Sequence, residues 1–144
     1  MNRKGTAVWH GTGKDGTGNV STQSGAIKNL PYSWKARFGD ESGMSGTNPE
    51  EMIAAAHASC FTMATAFQLV GAGFTPEELT TEANLTMENM NPGWRIAKIH
   101  LALTAKAPGV THEQLQELAK TAKENCPVSQ VLKVEITMEA TLAA

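Results

Sequence analysis

At 144 residues and 15.3 kDa the chain is the size of one domain that buries its own core, and 41 % hydrophobic residues exclude general disorder. Twelve Lys and Arg stand against 14 Asp and Glu, a net charge of −2, with no run of like charge. That balance gives nucleic acid or an anionic membrane no electrostatic hold on the protein. The basic start at Arg3 and Lys4 is followed by no apolar stretch of signal-peptide length, so a cytoplasmic location is expected.

Residues 5–11 and 18–24 alternate and carry Val, Trp and Thr, which predicts two strands joined by a turn rich in glycine from Gly11 to Gly18. Gly11, Gly13 and Gly16 match a GxGxxG spacing, but strand-like Asn19-Val-Ser-Thr-Gln follows where a pyrophosphate site needs a helix. Further strands are expected at 26–30 and 32–38, then a polar loop from Gly39 to Gly46. Asn48-Pro49-Glu50-Glu51 has the order of a helix start: a capping residue, Pro at the first position, and two acids on the positive end of the dipole. That helix should run to about Val70 and stop at Gly71-Ala-Gly73.

Met52 to Val70 carries no charged residue over 19 positions, the length of a membrane span. Its alanine content, with His57, Ser59 and Gln68, points instead to a helix apolar on all sides at the centre of a soluble fold. Phe74 to Leu79 should be a short connection with one helical turn. Residues 81–89 and 94–106 form an expected hairpin around Asn89-Met-Asn-Pro-Gly93. Thr111 and Gln114 have capping-box spacing, and Leu115, Leu118, Ala119 and Ala122 mark one stripe of a second helix. Pro127 should end it near Cys126, and residues 131–142 should close the chain as a strand. The order implies an α+β fold, with antiparallel sheets packed around a long central helix and a second helix, as one domain over 1–144.

The only two cysteines, Cys60 and Cys126, are 66 positions apart. In a reducing compartment they are either inert buried thiols or a redox-active pair. On the long helix, Ile53, Ala56, His57, Met63, Ala64 and Phe67 share the side of Cys60. An apolar wall raises a thiol's pKa, so a functional Cys60 needs a cation. His57, three positions earlier, is the nearest candidate, although a His in an alanine-rich helix is more often a packed residue. Arg37, among Trp34, Ala36 and Phe38, is a second candidate, and Glu50 or Glu51 could hold it. Ten residues of helix rise about 15 Å, so Glu50 cannot touch Cys60 along one straight helix. Either the helix breaks, or Arg37 and Glu50 reach the thiol from elsewhere, a second subunit included. Cys126, at a helix end beside Pro127, suits a thiol that attacks an already electrophilic sulfur. A metal site is not expected, because no ligand spacing is present.

Thr47-Asn-Pro-Glu-Glu-Met-Ile-Ala-Ala-Ala-His-Ala-Ser-Cys-Phe-Thr-Met-Ala64, together with Asn125-Cys-Pro-Val-Ser-Gln-Val-Leu-Lys133, closely resembles the signature of the OsmC/Ohr family (osmotically inducible protein C and organic hydroperoxide resistance protein). Ala7-Val-Trp-His-Gly11 and Val20-Ser-Thr-Gln-Ser-Gly25 fit it too, and His57 with the glycine-rich hairpin favours the OsmC branch. The resemblance implies an intertwined α+β homodimer with active sites at the subunit interface, acting as a cysteine peroxidase on organic hydroperoxides. By the motif, Cys60 is the peroxidatic and Cys126 the resolving cysteine, Arg37 activates the thiolate, and Glu50 holds Arg37. Ile53, Met63 and Phe67 would receive the alkyl part of the substrate. No cofactor is implied, and an external dithiol, by resemblance of lipoyl type, would be the reductant. A disulfide-based sensor and an inert two-thiol domain are the rival readings.

Overall fold

The computed structural model describes all 144 residues and resolves them into two compact units, Met1–Met52 and Ile53–Ala144. In the first, β1 (Gly5–His10), β2 (Thr17–Thr22) and β3 (Leu30–Ser33) form an antiparallel meander in that order. The glycine-rich segment is the β1–β2 turn, as expected, and Gly11 adopts φ +93°, a region glycine enters without strain. Gly18 lies opposite both Trp9 and Tyr32, whose rings meet across it at 5.2 Å, tilted by 50°. A Cβ there would fall 2.6 Å from the Tyr32 ring, so this ring contact requires glycine.

The strands expected at 26–30 and 32–38 are replaced by one short strand, β3, and a single π-helical turn over Lys35–Gly39. Alternation was the wrong period for this stretch. Trp34 and Phe38, four apart, bring their rings to 5.9 Å, and the Ser33 hydroxyl accepts the Ala36 N–H at 3.1 Å. Both contacts need a helical turn.

Helix α1 (Pro49–Gly71) starts where its capping signals place it, with the Asn48 side chain accepting the Glu51 N–H at 2.8 Å. Just past its end at Gly71, Gly73 turns the chain at φ +90°, and the Phe74 N–H donates back to the Leu69 carbonyl.

In the second unit β4 (Glu78–Asn89) pairs antiparallel with β5 (Trp94–Lys106), and β6 (Glu135–Leu142) pairs parallel with β5. The sheet is therefore mixed, where antiparallel sheets were expected. The reason is the crossover: α2 (His112–Asn125) and α3 (Pro127–Val131) carry the chain back before β6 begins. The capping box at Thr111 and Gln114 is present in both directions. No helical turn forms between Phe74 and Leu79; the Glu77 N–H already pairs with Lys106, extending the ladder.

The core of this unit joins Ile99, Leu101 and Leu103 of β5 to Leu115 and Ala119 of α2 and to Phe61 and Leu69 of α1. Only one stripe of α1 is buried: His57, Phe61, Thr65 and Leu69, each four residues from the next. Burial on all sides, expected from the composition, is met on that face alone, because a sheet can cover only one side of a helix. Met63, Phe67 and Val70 are 63 %, 71 % and 60 % exposed. By length and hydropathy α1 could cross a membrane, yet its packed face carries His57 and Thr65 against a protein core.

Phe61→Ala should cost about 3–5 kcal/mol of stability, the loss for truncating a fully buried aromatic, read as a lower midpoint in urea unfolding.

Candidate active site

Cys126 occupies a corner. Pro127 has no N–H with which to continue α2, but its fixed φ suits the first position of α3. Cys126 thus closes one helix and opens the next, in extended conformation (φ −62°, ψ 119°). Its N–H donates to Ala122 at 2.9 Å and its carbonyl accepts from Gln130 at 3.0 Å. Held at both ends, its sulfur is fully buried and lies 3.0 Å from Cys60 Sγ, on α1. Both are free thiols, and Cys60 is half-buried.

The two thiols have opposed environments. Burial pushes Cys60 above its ordinary value, as does the contact with Cys126, and the Val128 N–H only partly opposes this. Burial works against ionisation of Cys126 too. There it is outweighed by hydrogen bonding from Cys60, from the Ser129 N–H and hydroxyl, and from the Val128 N–H, so Cys126 lies below the ordinary value. A helix C-terminus alone would have disfavoured the thiolate; α3, absent from the expected elements, adds donors on the other side. None of the groups that shift Cys60 is a cation.

His57 is not that cation. It is completely buried, burial keeps it neutral by lowering its pKa, and its Nε2 is 2.7 Å from Ser129 Oγ on α3.

Arg37 stands on the π-helical turn, exposed rather than inward-facing, with its guanidinium over the Phe38 ring at 4.7 Å. Of the two acids after Pro49, Glu50 holds it. Arg37 Nε donates to the two Glu50 carboxylate oxygens at 3.1 and 3.0 Å, and Nη2 donates as well. Glu51 is occupied by the Thr47 hydroxyl at 2.7 Å. A two-pronged pair at the start of α1, where the helix dipole favours the carboxylate, fixes the planar guanidinium as a directed donor. Since α1 runs unbroken from Pro49 to Gly71, a helix break is removed as the way for Glu50 to approach Cys60.

Of the apolar residues expected to flank Cys60, Ile53 is half-buried while Met63 and Phe67 stand exposed. Met63 lines an open groove of about 660 Å³ with Ala58, Thr62, Ala66 and, from the β4 side, Pro76 and Leu79. No three His, Cys, Asp or Glu side chains converge as metal ligands. Ser129 was not singled out from the sequence. Its signal was present: Cys126-Pro-Val-Ser129 places a hydroxyl at the third position after a helix-opening residue, where side chains and backbone exchange hydrogen bonds.

The sequence profile described as OsmC-like protein matches residues 39–141. The chain is 44 % identical over 139 residues to Peroxiredoxin OsmC of Escherichia coli (strain K12), covering 96 % of this chain and 95 % of that one. It is 28 % identical over 137 residues to an organic hydroperoxide resistance protein of Xanthomonas axonopodis pv. citri, covering 93 % and 92 %. Among solved structures, an OsmC-like protein of Vibrio cholerae superposes with TM-score 0.79 at 17 % identity, covering 97 % of this chain and 99 % of that one. The organic hydroperoxide resistance protein OhrB of Bacillus subtilis gives TM-score 0.70 at 23 %, covering 99 % and 98 %. Both structural likenesses bear on the fold.

A single pair of sulfurs in contact should close readily. Mild oxidation of the full chain should give one intramolecular Cys60–Cys126 disulfide, checked as a loss of two hydrogens by intact mass and by peptide mapping.

Proposed function

This chain belongs to the OsmC-like protein family, and from that premise we propose that it is a peroxidase that reduces organic hydroperoxides through Cys60 and Cys126. The observation that carries the reading is the pair of sulfurs 3.0 Å apart, one reachable and one sealed. A peroxide can approach only the half-buried Cys60. The fully buried Cys126 can meet only its neighbour, which suits a resolving thiol.

In the first step the Cys60 thiolate attacks the terminal oxygen of the hydroperoxide. The O–O bond breaks, an alkoxide leaves and is protonated to the alcohol, and Cys60 becomes a sulfenic acid. The Cys126 thiolate then attacks the Cys60 sulfur, the S–O bond breaks, and hydroxide departs as water on taking a proton. An external dithiol reduces the resulting disulfide by two thiol exchanges, which restores both thiols. A lipoyl-bearing protein fits that role chemically.

Cys60 is disfavoured as a thiolate by its surroundings in one chain, so the first step needs a cation. Arg37, aimed by Glu50, supplies it from a second copy, with Ile53, Met63 and Phe67 receiving the alkyl group. The exposed apolar side of α1 supports such an assembly, since Met63, Phe67 and Val70 would lose water contact in a homodimer. In this reading residues 1–144 work as one domain, and the protein is soluble and cytoplasmic.

Turnover of cumene hydroperoxide with a dithiol should vanish in Cys60→Ser. In Cys126→Ser oxidation should proceed once per chain without disulfide. Consumption that stopped after one equivalent in the unaltered chain, for every dithiol tried, would show a sensor instead. Arg37→Ala should lower the rate of Cys60 oxidation by about 100-fold or more. Sedimentation should give about twice the 15.3 kDa chain mass, and Val70→Asp should shift it toward one chain.

A further inference from the structure

Two buried polar side chains of the second unit are His57 and Thr65. Thr65 is satisfied by the Phe61 carbonyl at 2.9 Å. His57 is only half satisfied: Nε2 meets Ser129 Oγ, while Nδ1 is sealed from solvent with no partner. That asymmetry settles the tautomer. A proton on Nδ1 would leave a buried donor unmade, whereas a bare Nδ1 leaves only an unused acceptor, and the buried ring is neutral. The proton therefore sits on Nε2, which donates to Ser129 Oγ. The Ser129 hydroxyl, already accepting from the imidazole, is left to donate its own proton, and the Cys126 sulfur, three positions earlier at the N-cap of the same short helix, is the neighbouring acceptor.

We propose that His57 and Ser129 are positioning residues for Cys126: a relay from His57 Nε2–H through the Ser129 hydroxyl to the Cys126 sulfur that aims this sulfur at Cys60. The relay spans α1 and α3, the helices on either side of the sulfur pair, so it also fixes the register in which Cys60 faces Cys126. Its electrostatic work falls on the second chemical step. When Cys60 is a sulfenic acid, the Cys126 thiolate, accepting from the Ser129 hydroxyl, attacks the Cys60 sulfur, and the hydroxide that leaves takes a proton from solvent and departs as water. Of the charged residues just before Cys126, Lys123 donates to the Ile136 carbonyl at 3.2 Å and Glu124 is exposed, so neither replaces the hydroxyl. The role in resolution rests on the peroxidase reading above; the hydrogen bonding to Cys126 does not.

The test has two arms. In full-length Cys60→Ser, the thiolate ultraviolet absorbance of Cys126 is titrated alone and with Ser129→Ala, Ser129→Thr or His57→Phe added. The midpoint should rise by about one pH unit or more in Ser129→Ala and His57→Phe, the worth of a hydrogen bond to a charged group. Ser129→Thr, which keeps the hydroxyl, should restore it. In the second arm, chains with both cysteines are mixed with one equivalent of cumene hydroperoxide and quenched with a sulfenic-acid trap. Ser129→Ala should form the Cys60 sulfenic acid as fast as the unaltered chain and close the disulfide several-fold more slowly. An unmoved Cys126 midpoint in Ser129→Ala would overturn the relay. Failure to trap any sulfenic acid on Cys60 would overturn the peroxidase reading and leave the titration to decide the relay by itself.

Discussion

The chemistry proposed for this protein depends on two sulfurs, 66 positions apart in sequence, being held at contact distance by two unrelated helices. Helix α1 carries Cys60 on the border of its buried stripe, next to Phe61, which is anchored in the core. The α2–α3 corner carries Cys126 with its backbone bonded on both sides. Neither device is costly to fold. The first is an amphipathic helix on a sheet, and the second is a proline that ends one helix and begins another. Together they bring two residues far apart in sequence into sulfur–sulfur contact.

The same geometry makes the pair unequal. Burial disfavours both thiolates, but only Cys126 collects enough donors to reverse the effect, from Ser129, Val128 and Cys60. Exposure runs the other way, since Cys60 is the one that solvent can reach. A buried, ionisable sulfur beside an accessible, reluctant one is a poor arrangement for a single chain acting alone. It is a sound one if the accessible sulfur is switched on from outside. The proposed function gives that task to the Arg37–Glu50 pair, because a carboxylate gripping two edges of a guanidinium leaves its remaining N–H groups pointing in a fixed direction.

Much of this could be read from the residues. Capping signals at Asn48, Thr111 and Gly73, and the punctuation of Pro127, located both long helices, because caps act within a few residues and need no tertiary context. Cys60, Cys126 and the Arg37–Glu50 pairing were named from chemistry and family resemblance, and the structure places each pair in contact. What escaped was set by longer range. The turn at Lys35–Gly39 looked like a strand because Trp34 and Phe38 satisfy either period until their rings meet. The parallel pairing of β6 depends on where α2 returns the chain, and no local signal encodes that. The one-sided burial of α1 could not be inferred from an alanine-rich composition that reads the same on every face. Ser129 was overlooked because α3 is only five residues long and was not anticipated.

The measurement that bears most directly on this account is complementation between two inactive chains. Cys60→Ser and Arg37→Ala proteins are unfolded together in equal amounts, refolded, and assayed for hydroperoxide turnover against each refolded alone. If the guanidinium reaches the sulfur from the other copy, mixed assemblies rebuild one complete site from the Cys60 of one chain and the Arg37 of its partner, and activity returns well above either parent. Activity no greater than the average of the two parents, in a mixture shown by mass to contain both chains in one assembly, would contradict it.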